Sequence, residues 1–189
     1  MSLGLLGGAF DPPHVGHVVL AREAVNHFGL DRLLVLVVAQ PGHKPVDTDV
    51  EHRLELARLA FADIERAEVV IDPHAYTDET VRDPRFSGAL FVVGADEFAH
   101  FLSWRDPDAV LSRVRLAVAT RPGYPRERLD GVLAALAHPE RVELFEIPAV
   151  EASSTEIRAR VARGESVDGL VPPAVAHRIV ELGLYQDGG

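Results

Sequence analysis

The chain has 189 residues, no cysteine and a formal net charge of −10 at pH 7, with 47% hydrophobic and 25% charged residues. That composition suits a folded domain and excludes disulfides, thiolate zinc sites and cysteine nucleophiles. The acidic balance argues against broad attraction to nucleic acid or acidic lipid. The longest apolar runs, residues 33–39 and 89–93, are too short to span a bilayer, and no signal-peptide pattern follows Met1. A soluble, cytoplasmic protein without a membrane or nucleic-acid partner is the expectation.

Short apolar runs alternate with amphipathic stretches along almost the whole chain. Residues 3–6, 33–39, 69–71, 89–93, 116–119 and 142–147 read as strands, several of them apolar on both faces, as in a covered parallel sheet. Residues 18–28 read as a helix stopped at Gly29. A second helix is expected over 50–61, with Leu54, Ala57, Leu59 and Ala60 near one face and Glu51, Arg53 and Arg58 toward water. Residues 96–102, 108–111 and 126–137 are further helical candidates, and two closing helices fall near 154–162 and 173–182. Strand–helix alternation predicts an α/β fold: a Rossmann-like doubly wound parallel sheet with C-terminal helices. Without repeats or a dividing linker, residues 1–189 read as one domain. Ligands of such sheets lie beyond the carboxyl ends of the strands.

The segment Gly7-Gly8-Ala9-Phe10-Asp11-Pro12-Pro13-His14-Val15-Gly16-His17 follows the first strand and leads into the first helix. Its glycines let a ligand approach the backbone, and the helix end turns free N–H groups and a positive dipole toward an anion. His14 and His17 are spaced to project from one side, and an imidazolium donates from both nitrogens to charge growing on a phosphate. The same pair is compatible with a metal, but no third ligand is close in sequence, so no protein-held metal is expected. Neither the Lys-Ser/Thr ending of an ATPase loop nor a dinucleotide fingerprint is present. In Ser153-Ser154-Thr155-Glu156-Ile157-Arg158, Ser153 and Glu156 have capping-box spacing. The segment is therefore either a helix cap alone or a cap whose Ser154, Thr155 and Arg158 face an anion.

The first segment resembles the G-G-x-F-D-P-x-H-x-G-H motif of bacterial nicotinate-nucleotide adenylyltransferases, of the HxGH nucleotidyltransferase superfamily. The second is similar to that family's closing S-S-T-x-I-R motif, in the same order along the chain. The resemblance, which extends from Leu3 to Tyr185, implies transfer of AMP from ATP to nicotinate mononucleotide, giving deamido-NAD and pyrophosphate. It implies attack by the mononucleotide phosphate on the α-phosphorus of ATP, without a general base and with Mg²⁺ carried by the ATP phosphates. His17 would meet transition-state charge on the α-phosphate and His14 the phosphate chain. Gly8, Ala9 and Phe10 would line the ATP site, and Ser154, Thr155 and Arg158 would hold the β- and γ-phosphates. Gly94 and Asp96, after the fourth strand, would lie along adenosine, although Asp96 is also placed to cap the next helix. Lys44, with His43, is similar to a lysine loop facing phosphates, but Gly42 stands where the family has a second proline. Tyr76 and Thr77 fall in a stretch resembling S-Y-T-x-x-T-L, with Ala75 for the serine; residues 82–88 are too few for the helix that usually follows. Trp104 would stack on the pyridine ring, and Arg121, in Arg-Pro-Gly, would reach the mononucleotide phosphate or border the site. A sister enzyme using nicotinamide mononucleotide or phosphopantetheine, or a non-catalytic nucleotide-binding protein, are the competing readings. Homo-oligomers are compatible with each.

Overall fold

Residues on both sides of the second strand are buried: Leu33, Val35 and Val37 in one core cluster, Leu34 and Leu36 in another. A strand hydrophobic on both faces needs a helical layer on each side, and that requirement determines the architecture. The computed structural model describes residues 1–42 and 46–186. In chain order the elements are β1 (Leu3–Gly8), α1 (Val15–Phe28), β2 (Arg32–Val38), α2 (Val50–Phe61), β3 (Ala67–Asp72) and α3 (Thr77–Thr80). Then come β4 (Leu90–Gly94), α4 (Ala95–Phe98), α5 (Pro107–Arg113), β5 (Arg115–Thr120), α6 (Glu127–Ala135), β6 (Val142–Glu146), α7 (Ser154–Ala162) and α8 (Pro173–Leu182).

Among the described residues the strands form one sheet in the order β3-β2-β1-β4-β5-β6, every pairing parallel. Helices α1, α2, α7 and α8 bury Ala21, Ala57, Ile157 and Val175 against one face. Helices α4, α5 and α6 bury Phe98, Leu111 and Leu129 against the other. The chain builds outward from β1 to β3, then crosses back to lay β4 on the free side of β1. Strand order reverses between β1 and β4, where crossover helices diverge and leave a crevice at the carboxyl ends. Among the described residues no helix is long and apolar enough to cross a membrane.

Helices α2, α7 and α8 keep the bounds that sequence periodicity assigns them. Three expectations change. Strand β1 continues through Gly7 and Gly8, which pair with Leu36 and Val37, so the glycines end the strand rather than start the loop. The helix expected over 96–102 is two shorter pieces, α4 and a 3-10 turn at Phe101–Ser103, arranged so that Phe98 and Phe101 are both buried and stacked. Arg53 does not face water: it is 1% exposed. Its guanidinium donates to the carbonyls of Thr48, Ala9, Val38 and Ala39 at 3.0, 2.9, 2.8 and 2.7 Å, and these backbone groups at the ends of β1 and β2 and before α2 outweigh its charge in choosing its place.

Candidate active site

The crevice at the strand reversal is a cavity of about 720 Å³, the size of a nucleotide site. Its floor is the end of β1 and the loop after it. Phe10 takes a left-handed backbone (φ 50°), uncommon outside glycine. Its ring is buried edge-on to Phe61 and His17, while Arg53 ties down the Ala9 carbonyl just before it. Beyond it, Asp11 is buried and accepts a 2.6 Å hydrogen bond from the Tyr185 hydroxyl. Burial beside that carboxylate pushes the Tyr185 phenol well above its usual range, so it stays a donor.

The two histidines open α1. Their rings stack with centroids 3.7 Å apart. Gly16, between them, suits that packing: a Cβ there would lie 3.0 Å from His14 Nδ1, so the ring would have to shift. The backbone N–H of His14 donates to His17 Nδ1 at 3.2 Å. That bond leaves Nδ1 of His17 without a proton, so its neutral ring carries hydrogen on Nε2 as a donor. His14 departs from the imidazolium expected of both rings. Burial lowers its pKa to about 4, so near neutral pH it is uncharged until an anion adds a reason to protonate.

Helix α7 supplies the facing wall. Ser153 caps it, accepting from the Glu156 N–H at 3.2 Å, as the spacing predicts. Ser153, Ser154, Thr155 and Arg158 line the same cavity as the α1 terminus, so two helix N-termini converge on one space. The Ser154 hydroxyl donates to the Pro12 carbonyl at 2.8 Å, and Arg158 donates to the Asp11 carbonyl at 2.7 Å. In this state these two side chains brace the histidine loop. Thr155 is exposed to the cavity.

At the other end, Tyr76, Thr77 and Trp104 line the cavity, with Trp104 edge-on to Phe91 and Phe101. Gly8, Ala9, Phe10 and Gly94 line it as well. Asp96 and Arg121 do not: both are exposed and face each other at 3.7 Å, outside the lining residues. Gly94, not Asp96, is the N-cap of α4. Lys44 and His43 lie outside the described residues. Only a single 3-10 turn, Pro84–Phe86, fits into residues 82–88.

The sequence reading missed two groups. Asp72, buried at the end of β3, accepts from the Thr80 hydroxyl at 2.6 Å and faces His74 Nδ1 at 2.8 Å. Arg105 reaches over the Tyr76 ring, 4.4 Å from its centroid. Asp72 follows a strand and Arg105 follows Trp104, and such positions were the available signal.

The cytidylyltransferase-like family model matches residues 5–160. A Rubrobacter xylanophilus protein, named "Probable nicotinate-nucleotide adenylyltransferase", is 37% identical over 98% of this chain and 92% of its own length. The chain belongs to the nicotinate-nucleotide adenylyltransferase family. A Thermus thermophilus member with the same name is also 37% identical, covering 98% of this chain and 100% of that protein. Among solved structures, a Plasmodium falciparum nicotinic acid mononucleotide adenylyltransferase complexed with NaAD superposes with a TM-score of 0.77. It covers 99% of this chain and 98% of that chain at 15% identity, a likeness of fold. The strand order and the helices on both faces are thus those of the family's nucleotidyltransferase-type sheet.

Proposed function

We propose that this family member transfers AMP from ATP to nicotinate mononucleotide, yielding deamido-NAD and pyrophosphate. The observation that carries the reading is the convergence of His14, His17 and the N-termini of α1 and α7 on one cavity at the strand reversal. An oxygen of the mononucleotide phosphate attacks the α-phosphorus of ATP, and the bond to the bridging oxygen of pyrophosphate breaks. The nucleophile is already an anion, so the protein's task is alignment and charge stabilisation.

In this reading His17 donates from Nε2 to a nonbridging α-phosphate oxygen as negative charge shifts there. His14 meets the phosphate chain and takes up a proton as the anion enters. Ser154, Thr155 and Arg158 turn to the β- and γ-phosphates, exchanging the loop carbonyls for stronger charged partners. ATP enters as its magnesium complex. Gly8, Ala9, Phe10, Gly94 and Asp96 are assigned to the ATP side, and Tyr76, Thr77, Trp104, Lys44 and Arg121 to the mononucleotide. We place the reaction in the cytoplasm.

The test is pyrophosphate release from ATP and Mg²⁺ with nicotinate mononucleotide, nicotinamide mononucleotide or phosphopantetheine as acceptor. Turnover is expected with the pyridine acid, falling by orders of magnitude in a folded His17→Ala variant. No turnover with any acceptor refutes the reading, and normal turnover in His17→Ala removes that residue from its role.

A further inference from the structure

We propose that Arg105 determines preference for the acid form of the pyridine acceptor, a specificity role that rests on the functional reading above. Arg105 lines the same end of the cavity as Tyr76, Thr77 and Trp104. The guanidinium groups lining the described cavity are Arg105 and Arg158, and the latter is at the opposite wall, bonded to the Asp11 carbonyl. Arg105 is therefore the strongly cationic group at the pyridine end among the described residues.

Its partners leave that cation usable. Nε pairs with Asp78 Oδ1 at 2.9 Å, and Nη2 donates to Asp78 Oδ2 at 3.0 Å and Glu79 Oε1 at 2.7 Å. Both hydrogen bonds come from Nη2, and Nε contributes only an ion-pair contact. A guanidinium has five N–H donors, so the two on Nη1 take no part. Neither Asp78 nor Glu79 is among the cavity-lining residues, so both carboxylates sit behind the guanidinium. Asp78 is shared with Arg82 at 2.9 Å, and the charges of Asp78, Glu79, Arg82 and Arg105 sum to zero. The cluster thus holds Arg105 in place without giving this end an excess of negative charge. The Tyr76 ring supports the guanidinium from one side, which reduces the side-chain freedom lost on binding.

A pyridine-3-carboxylate presents acceptor oxygens and a negative charge, the complement of the unused Nη1 donors of a cation. A carboxamide presents one acceptor and an N–H₂ that no arginine donor can satisfy. Discrimination of this kind works by leaving the wrong ligand's polar group unpaired.

Trp104 is the only tryptophan of the chain and adjoins Arg105, so its fluorescence reports binding without requiring turnover. The experiment titrates the intact protein with nicotinate mononucleotide and with nicotinamide mononucleotide, in wild type, Arg105→Leu, Arg105→Lys and Arg82→Leu. Circular dichroism checks that each is folded. Wild type should bind the acid more tightly, and Arg105→Leu should lose about tenfold or more of that preference, the worth of a charge-assisted hydrogen bond. Arg105→Lys should retain part of it. Arg82→Leu cuts the Asp78 pair from outside the cavity, and should keep the preference intact. Equal weakening toward both ligands in Arg105→Leu, no weakening, or equal loss of preference in Arg82→Leu overturns the proposal. Selective binding without pyrophosphate release would instead overturn the catalytic reading and leave the specificity role standing.

Discussion

Replacing Arg53 by methionine should destabilise the protein by about 3–5 kcal/mol, the range for breaking a buried charged network from one side. The size follows from what is left behind. Carbonyls of Ala9, Val38, Ala39 and Thr48 lose a charged donor held at 2.7 to 3.0 Å. Each unsatisfied buried group costs about 1–3 kcal/mol, though water entering the gap recovers some of that. Methionine also relieves the cost of burying a guanidinium, which here lowers the arginine's pKa and is only partly offset by the nearby Asp11 carboxylate. The residual is still a large share of a typical stability of about 5–15 kcal/mol. Urea unfolding followed by circular dichroism reads the free energy directly, and a thermal scan should show a fall in melting temperature of about 6–20 °C. Arg53→Lys keeps the charge but only three donors at one point, and should fall between the two. A loss below about 1 kcal/mol in Arg53→Met would show that the four carbonyls do not depend on the side chain, and the bracing argument would fail.

His14 sets an acid limit on stability. Its pKa is about 4 when folded and 6.5 as a free group, so below pH 6.5 the unfolded chain binds the proton first. Stability from this group is complete above pH 6.5 and is lost as pH falls toward 4, by at most about 3 kcal/mol. Urea midpoints at pH 7, 5.5 and 4.5 should decline less steeply in His14→Gln; equal slopes would exclude His14 as the cause. A methyl group at Gly42 would clash with the Tyr76 ring, so Gly42→Ala should push that ring aside. Initial-rate kinetics should then show a raised KM for the mononucleotide with that for ATP little changed; an unchanged mononucleotide KM would place Tyr76 outside the acceptor's path.

The close approach of Tyr76 to Gly42 is invisible in sequence, because the two residues are 34 apart. What was legible in sequence is local in origin. Helix α7 begins at its expected cap because Ser153 and Glu156 act within one turn. The central strands were found because they are buried on both faces, and the histidine loop because its residues form one contiguous string. Arg53 was not legible: on the helix pattern it belongs with Glu51 and Arg58, and its acceptors lie up to 44 residues away. Asp72 and Arg105 were hidden for the same reason, since a side chain that serves another segment leaves no periodic signal. Asp96 and Arg121 show the converse. Both follow strands and keep their ligand roles in the proposal, yet in this structure they face each other at 3.7 Å outside the cavity lining.

The histidine loop is held from the far end of the chain, by Ser154, Arg158 and Tyr185, across separations of 142, 147 and 174 residues. In folding terms the histidine loop therefore belongs to the most non-local contacts of the molecule, for which loop-closure entropy must be met before any contact repays it. The sheet and its local βα units can assemble while this loop still lacks its supports. The loop's geometry therefore depends on docking of the last two helices. Activity becomes a report on completion of the whole fold, and a molecule stalled before α7 docks would carry every histidine and glycine of the motif without the geometry that gives them a use.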